Sequence, residues 1–223
     1  MPDDAPRRGT DKTASQSGAS AARVVQSERA GVAGFVWVGL SKLLWLDERG
    51  RSRTWECAER LTRRGAVDGV AVVATLKGGE ETRPRIVLVS QFRPPTRDYA
   101  LELPAGLVDA GESPGEAALR ELKEETGFLG KLLRLSPVVA SDPGFSSANM
   151  HYAFVEVDAR RAENQRPQPK QEDSECIATH LVFLDELLEL LSEPEAMVAK
   201  LGRKCVVDAR LYSLALGLAL PRL

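Results

Sequence analysis

Apolar residues become periodic from Phe35 onward, and the period is that of strands before it is that of helices. Residues 35–46 and 53–63 read as strands around a DERG turn at 47–50, which predicts a hairpin-rich N-terminal layer. The β-branched runs 67–76 and 86–92 are separated by the polar, glycine-containing stretch 77–85, as expected of two buried strands joined by a surface loop. Residues 99–103 add a short strand that stops at Pro104; 132–140 and 150–157 add two more, and 177–184 closes the sheet system. Residues 160–173 are charged and carry Pro167 and Pro169, which marks an exposed loop. Helical spacing appears at 113–126, 184–191 and 208–218, the last with Leu211, Leu214, Ala215 and Leu218 on one face. Many strands with a few segregated helices predict an α+β fold, an α/β/α sandwich on a mixed sheet, rather than a doubly wound one.

Composition narrows the classes. A chain of 223 residues suits one domain with tails. Its formal net charge of -2 argues against a nucleic-acid partner, because a basic surface is what such a partner requires. Cys57, Cys176 and Cys205 are widely spaced and odd in number, which fits neither a disulfide framework nor metal knuckles and points to a reducing compartment. His151 and His180 both fall on strands, where a lone histidine is usually structural, so a histidine-based triad is not expected. No window approaches the roughly 20 apolar residues of a membrane span. A soluble, intracellular protein without membrane partners is expected, cytoplasmic with the nucleus as a second location. Residues 1–23 have too few large apolar side chains to offset ordering entropy and read as a disordered tail; Asp3, Asp4 and Asp11 argue against a transit peptide there. The domain division is then a tail at 1–23, an N-terminal β layer at 24–64 and the main domain at 65–223.

The most informative window is GLVDAGESPGEAALRELKEETGF at 106–128. Ser113 is placed to cap a helix, Pro114 occupies the first helical position where its missing donor costs nothing, Glu116 completes a capping box, and Gly127 ends the helix. At roughly 100° per residue, Glu121, Glu124 and Glu125 share one side, while Leu119 and Leu122 face another and dock on the sheet. A solvated acidic face is the structural alternative. It fits poorly, because such faces alternate sign at i, i+4, whereas Glu121 and Glu125 are like charges at that spacing and repel by about 0.2–0.5 kcal/mol. A hard dication removes that repulsion; magnesium, with manganese as the alternative, takes carboxylates plus substrate phosphates.

The positions Gly106, Glu112, Arg120, Glu121, Leu122, Glu124, Glu125, Gly127 and Phe128 resemble the Nudix box at every defining position. That resemblance implies a strand-loop-helix unit in which Glu121 and Glu125 are principal metal ligands and Glu124 is a further one. Glu112 faces the metal, the backbone carbonyl of Ala105 is an additional ligand, and Arg120 orients the glutamates. Outside the box, RTWE (53–56), QFRPP (91–95), ELPAGL (102–107), SDPG (141–144) and VDARLYSLAL (207–216) resemble the animal ADP-sugar pyrophosphatase branch. The branch implies a homodimer, formed through the N-terminal layer, whose two tryptophans, one from each subunit, sandwich adenine; Trp37 and Trp55 stand at the matching places. Stacking on aromatic faces holds a base by about 1–3 kcal/mol. Glu56 would accept the adenine amino hydrogens, and Arg60 and Arg93 would meet the phosphates, although either arginine is also readable as half of a surface ion pair. The branch adds Leu107 and Asp142 to the substrate contacts and a loop glutamate as general base or water-positioning group, for which Glu175 is chosen over Glu172 and Asp173. Residues 24–34 carry only a weak pattern. The expected reaction is hydrolysis of a nucleotide sugar, ADP-ribose to AMP and ribose 5-phosphate. A UDP-sugar, an oxidised guanine nucleotide, or a non-catalytic nucleotide-binding dimer are the alternatives.

Overall fold

The computed structural model describes residues 22–31, 33–171 and 176–220. The N-terminal layer is a three-stranded antiparallel sheet in the order β1 (Arg23–Ala30), β2 (Val38–Leu46), β3 (Ser52–Arg60). Its hairpin turn is fixed by Asp47, whose carboxylate accepts from the Arg49 and Arg51 amides at 3.0 and 2.9 Å and from the Arg53 guanidinium at 2.9 Å. Gly50 supplies the left-handed φ of 71° that closes it. The strand β1 was all but invisible in the sequence because every one of its residues is exposed, so no burial alternation marks it. Both hairpin strands are shorter than expected, and Leu61 turns back to donate its amide to the Trp37 carbonyl at 3.0 Å.

The main sheet is mixed. Its central pair is β4 (Gly69–Lys77) and β10 (Asn149–Asp158), parallel from Gly69 opposite Met150 to Lys77 opposite Asp158. Around it lie β5 (Arg85–Arg93), β6 (Asp98–Glu102), β7 (Ala105–Leu107), β8 (Lys131–Leu135), β9 (Val139–Ala140), β11 (Ala178–Phe183) and β12 (Val206–Val207). The path runs β12-β6-β5-β4-β10-β8, with β7 against β4, β9 against β10 and β11 against β5. The helices are α1 (Pro114–Thr126), α2 (Ala162–Gln165), α3 (Leu187–Ser192), α4 (Pro194–Leu201) and α5 (Ala209–Ala219).

The near-continuous apolar run of β4 is explained by burial on both faces. Val70, Val72, Ala74 and Leu76 point toward α1, where they meet Ala117, Ala118, Leu122 and Phe128. Ala71, with Ile86, Leu88 and Leu101, points the other way into Leu187, Leu190, Leu191, Leu211 and Ala215 of α3 and α5. These two cores, in which each Val, Leu, Ile or Phe side chain is worth about 1.5–3 kcal/mol on full burial, make the expected α/β/α sandwich. Two expectations need correction. The single strand at 132–140 is two strands, broken where Pro137 removes a ladder donor. The helix expected from 184 begins at Leu187, because Leu184 and Glu186 donate their amides to Pro84 and Phe183 in a turn.

The segment 141–149 stitches the two sheets together. The Ala58 amide donates to the Phe145 carbonyl and the Ser147 amide to the Ala58 carbonyl, each at 3.0 Å. At its end, Asp68 is buried and accepts from Arg63 Nε and Nη2 at 2.8 and 2.6 Å and from the Asn149 amide at 3.0 Å. Burial alone pushes the Asp68 carboxyl up, but the Arg63 and Asn149 hydrogen bonds outweigh it and hold the group below its ordinary 3.8. The unfolded chain therefore takes up that proton first as acid is added, so the pair's contribution is present above that value and fades as pH falls through the folded pKa. Replacing Arg63 with Met should destabilise the fold by about 3–5 kcal/mol at neutral pH, because it strands a buried carboxylate. Urea unfolding should show this deficit shrinking as the pH drops below the ordinary Asp value, and a deficit that stays constant into acid would remove Asp68 from the account.

Candidate functional site

Local rules build the helix that carries the acidic side chains. Ser113 caps α1, accepting from the Glu116 amide while Glu116 accepts in return, Pro114 opens the first turn, and Gly127 closes the last at φ 76°. With its start and end fixed and Leu122 fully buried, α1 has one rotational setting on the sheet. That setting places Glu121 and Glu125 against the β7 strand.

The approach is close enough to exclude a methyl group. A Cβ at Gly106 would overlap the Glu121 carboxylate, and one at Gly69 would sit 2.5 Å from the Gly106 carbonyl oxygen. Glu125 is only 3% exposed and accepts from the Ala105 amide at 3.1 Å. Arg120 organises the rest: Nε and Nη2 grip Glu112 at 2.9 Å each, Nη1 meets Glu121 at 2.7 Å and Glu124 at 3.1 Å, and Nη2 also donates to the Leu107 carbonyl at 2.9 Å. The bidentate Arg120 contact is the main reason the Glu112 carboxyl is lowered from its ordinary value, and contacts to Glu112, Glu121 and Glu124 raise Arg120 in turn. The like-charge repulsion read from the sequence is therefore offset in part inside the protein, by a guanidinium touching three of the carboxylates. Among the described residues, no group of three or more Asp, Glu, His or Cys side chains stands ready-made around one point. The donors still fit a hard divalent cation: they are all oxygen, Glu121 and Glu125 both lie against the Ala105–Gly106 backbone, and the cradle beside Glu121 is one that any side chain at 106 would fill.

Beside this helix runs a cleft of about 400 Å³ lined by Arg60, Arg93, Glu102, Ala105, Gly106, Leu107 and Arg210, among others. Of the expected substrate contacts, Arg60, Arg93 and Leu107 are brought together here. Arg93 donates to the buried Glu102 at 2.8 Å, so it is an ion pair and a cleft residue at once. Arg60 makes no side-chain hydrogen bond or ion pair among the described residues, although its charge helps hold Asp68 ionised. Trp55 and Glu56 line a neighbouring hollow of about 610 Å³ with Gly144 and Phe145, and the indole of Trp55 donates to the Gly144 carbonyl at 3.1 Å. Trp37 is 69% exposed and lines neither space, so a single chain does not bring the two tryptophans face to face. Asp142 is exposed on the stitching segment, where its carbonyl accepts from Phe145 and Ser146, and it is Ser141 beside it that reaches the cleft. Glu175, with its rivals Glu172 and Asp173, lies outside the described residues. Both histidines sit on strands as expected and away from the cleft, His151 on the Ser136 carbonyl at 2.7 Å and His180 on Ser90 at 2.8 Å.

Glu102, Asp68, Met150, Asp208 and Arg210 were not foreseen. Glu102 carried a usable signal, a charge ending a short strand just before Pro104. Asp208 and Arg210 fall in the segment 207–216 that carries the branch resemblance but were given no site role, because nothing local says which wall of the molecule that helix start faces.

A family model described as a NUDIX domain matches residues 66–201. The chain is 42% identical over 187 residues to ADP-ribose pyrophosphatase of Saccharomyces cerevisiae, covering 83% of this chain and 78% of that protein. It is 40% identical over 185 residues to ADP-sugar pyrophosphatase of Mus musculus, covering 82% and 81%. Among solved structures, the crystal structure of an ADP compounds hydrolase superposes with a TM-score of 0.62, covering 93% of this chain and 96% of that one; at 22% identity this likeness shows the fold. The geometry yields its own test. Gly106→Ala should displace Glu121 and weaken manganese binding, measured by calorimetry, by at least about tenfold, with only a small drop in melting temperature; unchanged affinity would separate Glu121 from the cation.

Proposed function

This chain belongs to the NUDIX family, and we propose that its site hydrolyses the pyrophosphate bond of ADP-ribose and related ADP-sugars, releasing AMP and a sugar phosphate. The observation that carries the proposal is the acidic set on α1, locked by Arg120 and seated on the Ala105–Gly106 backbone at the wall of an arginine-lined cleft. The printed names of the yeast and mouse relatives support the same substrate class.

Nudix hydrolases generally depend on a divalent metal. We assign magnesium, with manganese as a substitute, to Glu121 and Glu125, joined by Glu124, Glu112 and the Ala105 carbonyl. Once bound, such an ion neutralises diphosphate charge and lowers the pKa of a water. The protein's own part is positional. Arg120 holds Glu112, Glu121 and Glu124 in one arrangement before substrate arrives, so little reorganisation remains for the reaction. Arg60 offers a guanidinium with no hydrogen-bond partner among the described residues, and Arg93, steadied by Glu102, offers its remaining N–H groups; both suit phosphate oxygens. Glu175 is assigned as the group that positions the attacking water or takes its proton, and Leu107 and Asp142 are assigned as further substrate contacts.

For adenine we assign Trp55 with Glu56 and the Trp37 of a second copy. Phe35, Val36, Trp37, Val38 and Leu40 are all about half exposed or more, an apolar run that a homodimer would cover. The partners proposed are thus a nucleotide sugar and a second copy of the chain.

ADP-ribose incubated with the protein and magnesium in isotopically labelled water should give AMP and ribose 5-phosphate, with label in one of them. Glu125→Gln should cut turnover by more than about a hundredfold, beyond the range usual for outer-shell partners of a metal. A variant with undiminished turnover would remove the metal assignment. Trp37→Ala and Trp55→Ala should each raise KM by about tenfold, the scale of one lost stacking contact. A panel including UDP-glucose and an oxidised guanine nucleotide, ranked by kcat/KM, would overturn the substrate assignment if either outran ADP-ribose.

A further inference from the structure

The start of α5 brings a charged pair to the cleft that the site described so far does not use. Asp208 caps the helix, accepting the Arg210 amide at 2.8 Å and the Leu211 amide at 3.3 Å. The same carboxylate grips the Arg210 side chain, taking Nε at 2.8 Å on one oxygen and Nη2 on the other. Capping needs only the aspartate. Adding a guanidinium brings a second charge only partly out of water, at 30% side-chain exposure against 16% for Asp208, and a partly exposed ion pair contributes at most about 1 kcal/mol. Stability alone therefore gives little reason for Arg210.

Its orientation gives one. A guanidinium carries five N–H groups. Asp208 takes one from Nε and one from Nη2, and Nη1 meets only the Met150 thioether, at 3.4 Å, which is a weak acceptor. It makes no other hydrogen bond among the described residues, the charges of Glu102 and Tyr152 acting on it only through space, and it lines the cleft. Its place there follows from strand register. Met150 lies opposite Gly69 on β4, and Gly69 lies opposite Leu107 on β7. Two strand spacings, about 10 Å, therefore separate Met150 from β7, where the acidic set sits. That span suits one phosphate and a pentose. Trp55 and Glu56 lie in the other hollow, beyond the stitching segment, so the Arg210 wall is left for the half of the substrate that is not adenosine.

We propose that Arg210 is a specificity-determining residue that donates hydrogen bonds to the sugar oxygens of the non-adenosine half of the substrate, with Asp208 as the positioning residue that aims it. This rests on the ADP-ribose reading above. It makes the C-terminal helix, beyond the residues matched to the family domain, part of the substrate site.

The test compares two substrates with the same AMP half: ADP-ribose, and ADP esterified with methanol on its outer phosphate, which keeps the diphosphate and lacks the sugar. In Arg210→Met the ratio of kcat/KM for ADP-ribose to that for the methyl ester should fall by about tenfold, the scale of one charge-assisted hydrogen bond, mostly through KM. Asp208→Asn, which retains a good cap but releases the guanidinium, should shift the ratio the same way by less. A wild-type ratio in Arg210→Met, including the case where both substrates suffer equally, would overturn the proposal, since a purely structural role lowers the two together. If the wild-type protein cleaves neither compound, the substrate reading fails separately. Calorimetric titration of ribose 5-phosphate then decides Arg210 alone: weaker binding in Arg210→Met supports it, and equal binding overturns it.

Discussion

The contact between the Glu121 carboxylate and the bare Cα of Gly106 is the constraint around which this molecule is arranged. It demands that a helix and a strand approach with no side chain between them, which Gly106 on β7 allows, while Gly69 on the neighbouring β4 leaves room for the Gly106 carbonyl. The helix reaches that position because Leu122, Ala117 and Ala118 bury against Val70 and Val72, so the packing of the core and the placing of the carboxylates are one event. Arg120 then makes the result electrostatically tolerable. Its contacts to Glu112, Glu121 and Glu124 let four acidic side chains crowd one face, while Glu125, almost fully buried, relies on the Ala105 amide.

The cleft beside this helix follows a second rule: most of its charges arrive in pairs. Of the lining arginines, Arg93 is matched by Glu102 and Arg210 by Asp208, each with its carboxylate more buried than its guanidinium, and the lining carboxylate of Asp68 is matched by Arg63. The acid partner anchors the arginine and the outward N–H groups remain for a ligand. Arg60 stands apart, with no such anchor among the described residues. A wall built this way presents fixed donors to an anionic, hydroxyl-rich molecule without carrying a large net charge.

Much of this was legible in the sequence, for identifiable reasons. The caps of α1 are chemical signals within a few residues of one another, so Ser113, Pro114, Glu116 and Gly127 announced both ends of the helix. The double-sided burial of β4 showed as an uninterrupted apolar run. Where information was non-local, the reading failed. β1 has no buried residue and hence no pattern, β9 is two residues long, and α4 is a short helix set by Pro194 and tertiary packing. The cleft arginines divided along the same line. Arg60 and Arg93 came from resemblance, whereas Arg210 belongs to a helix whose direction is decided by the burial of Leu211 and Ala215 on the far core, a fact of the whole fold.

The segment that stitches the two sheets carries a kinetic consequence. Trp55 and Gly144 are 89 positions apart, and Asp68 and Asn149 are 81. Contacts that close such long stretches of chain are entropically expensive early and rewarded only once their ends are already ordered, so they tend to form late. The wall between the two hollows is therefore a late product of folding, and an emerging polypeptide that stops short of Asn149 has the acidic residues of its helix but no mouth through which a nucleotide could be admitted.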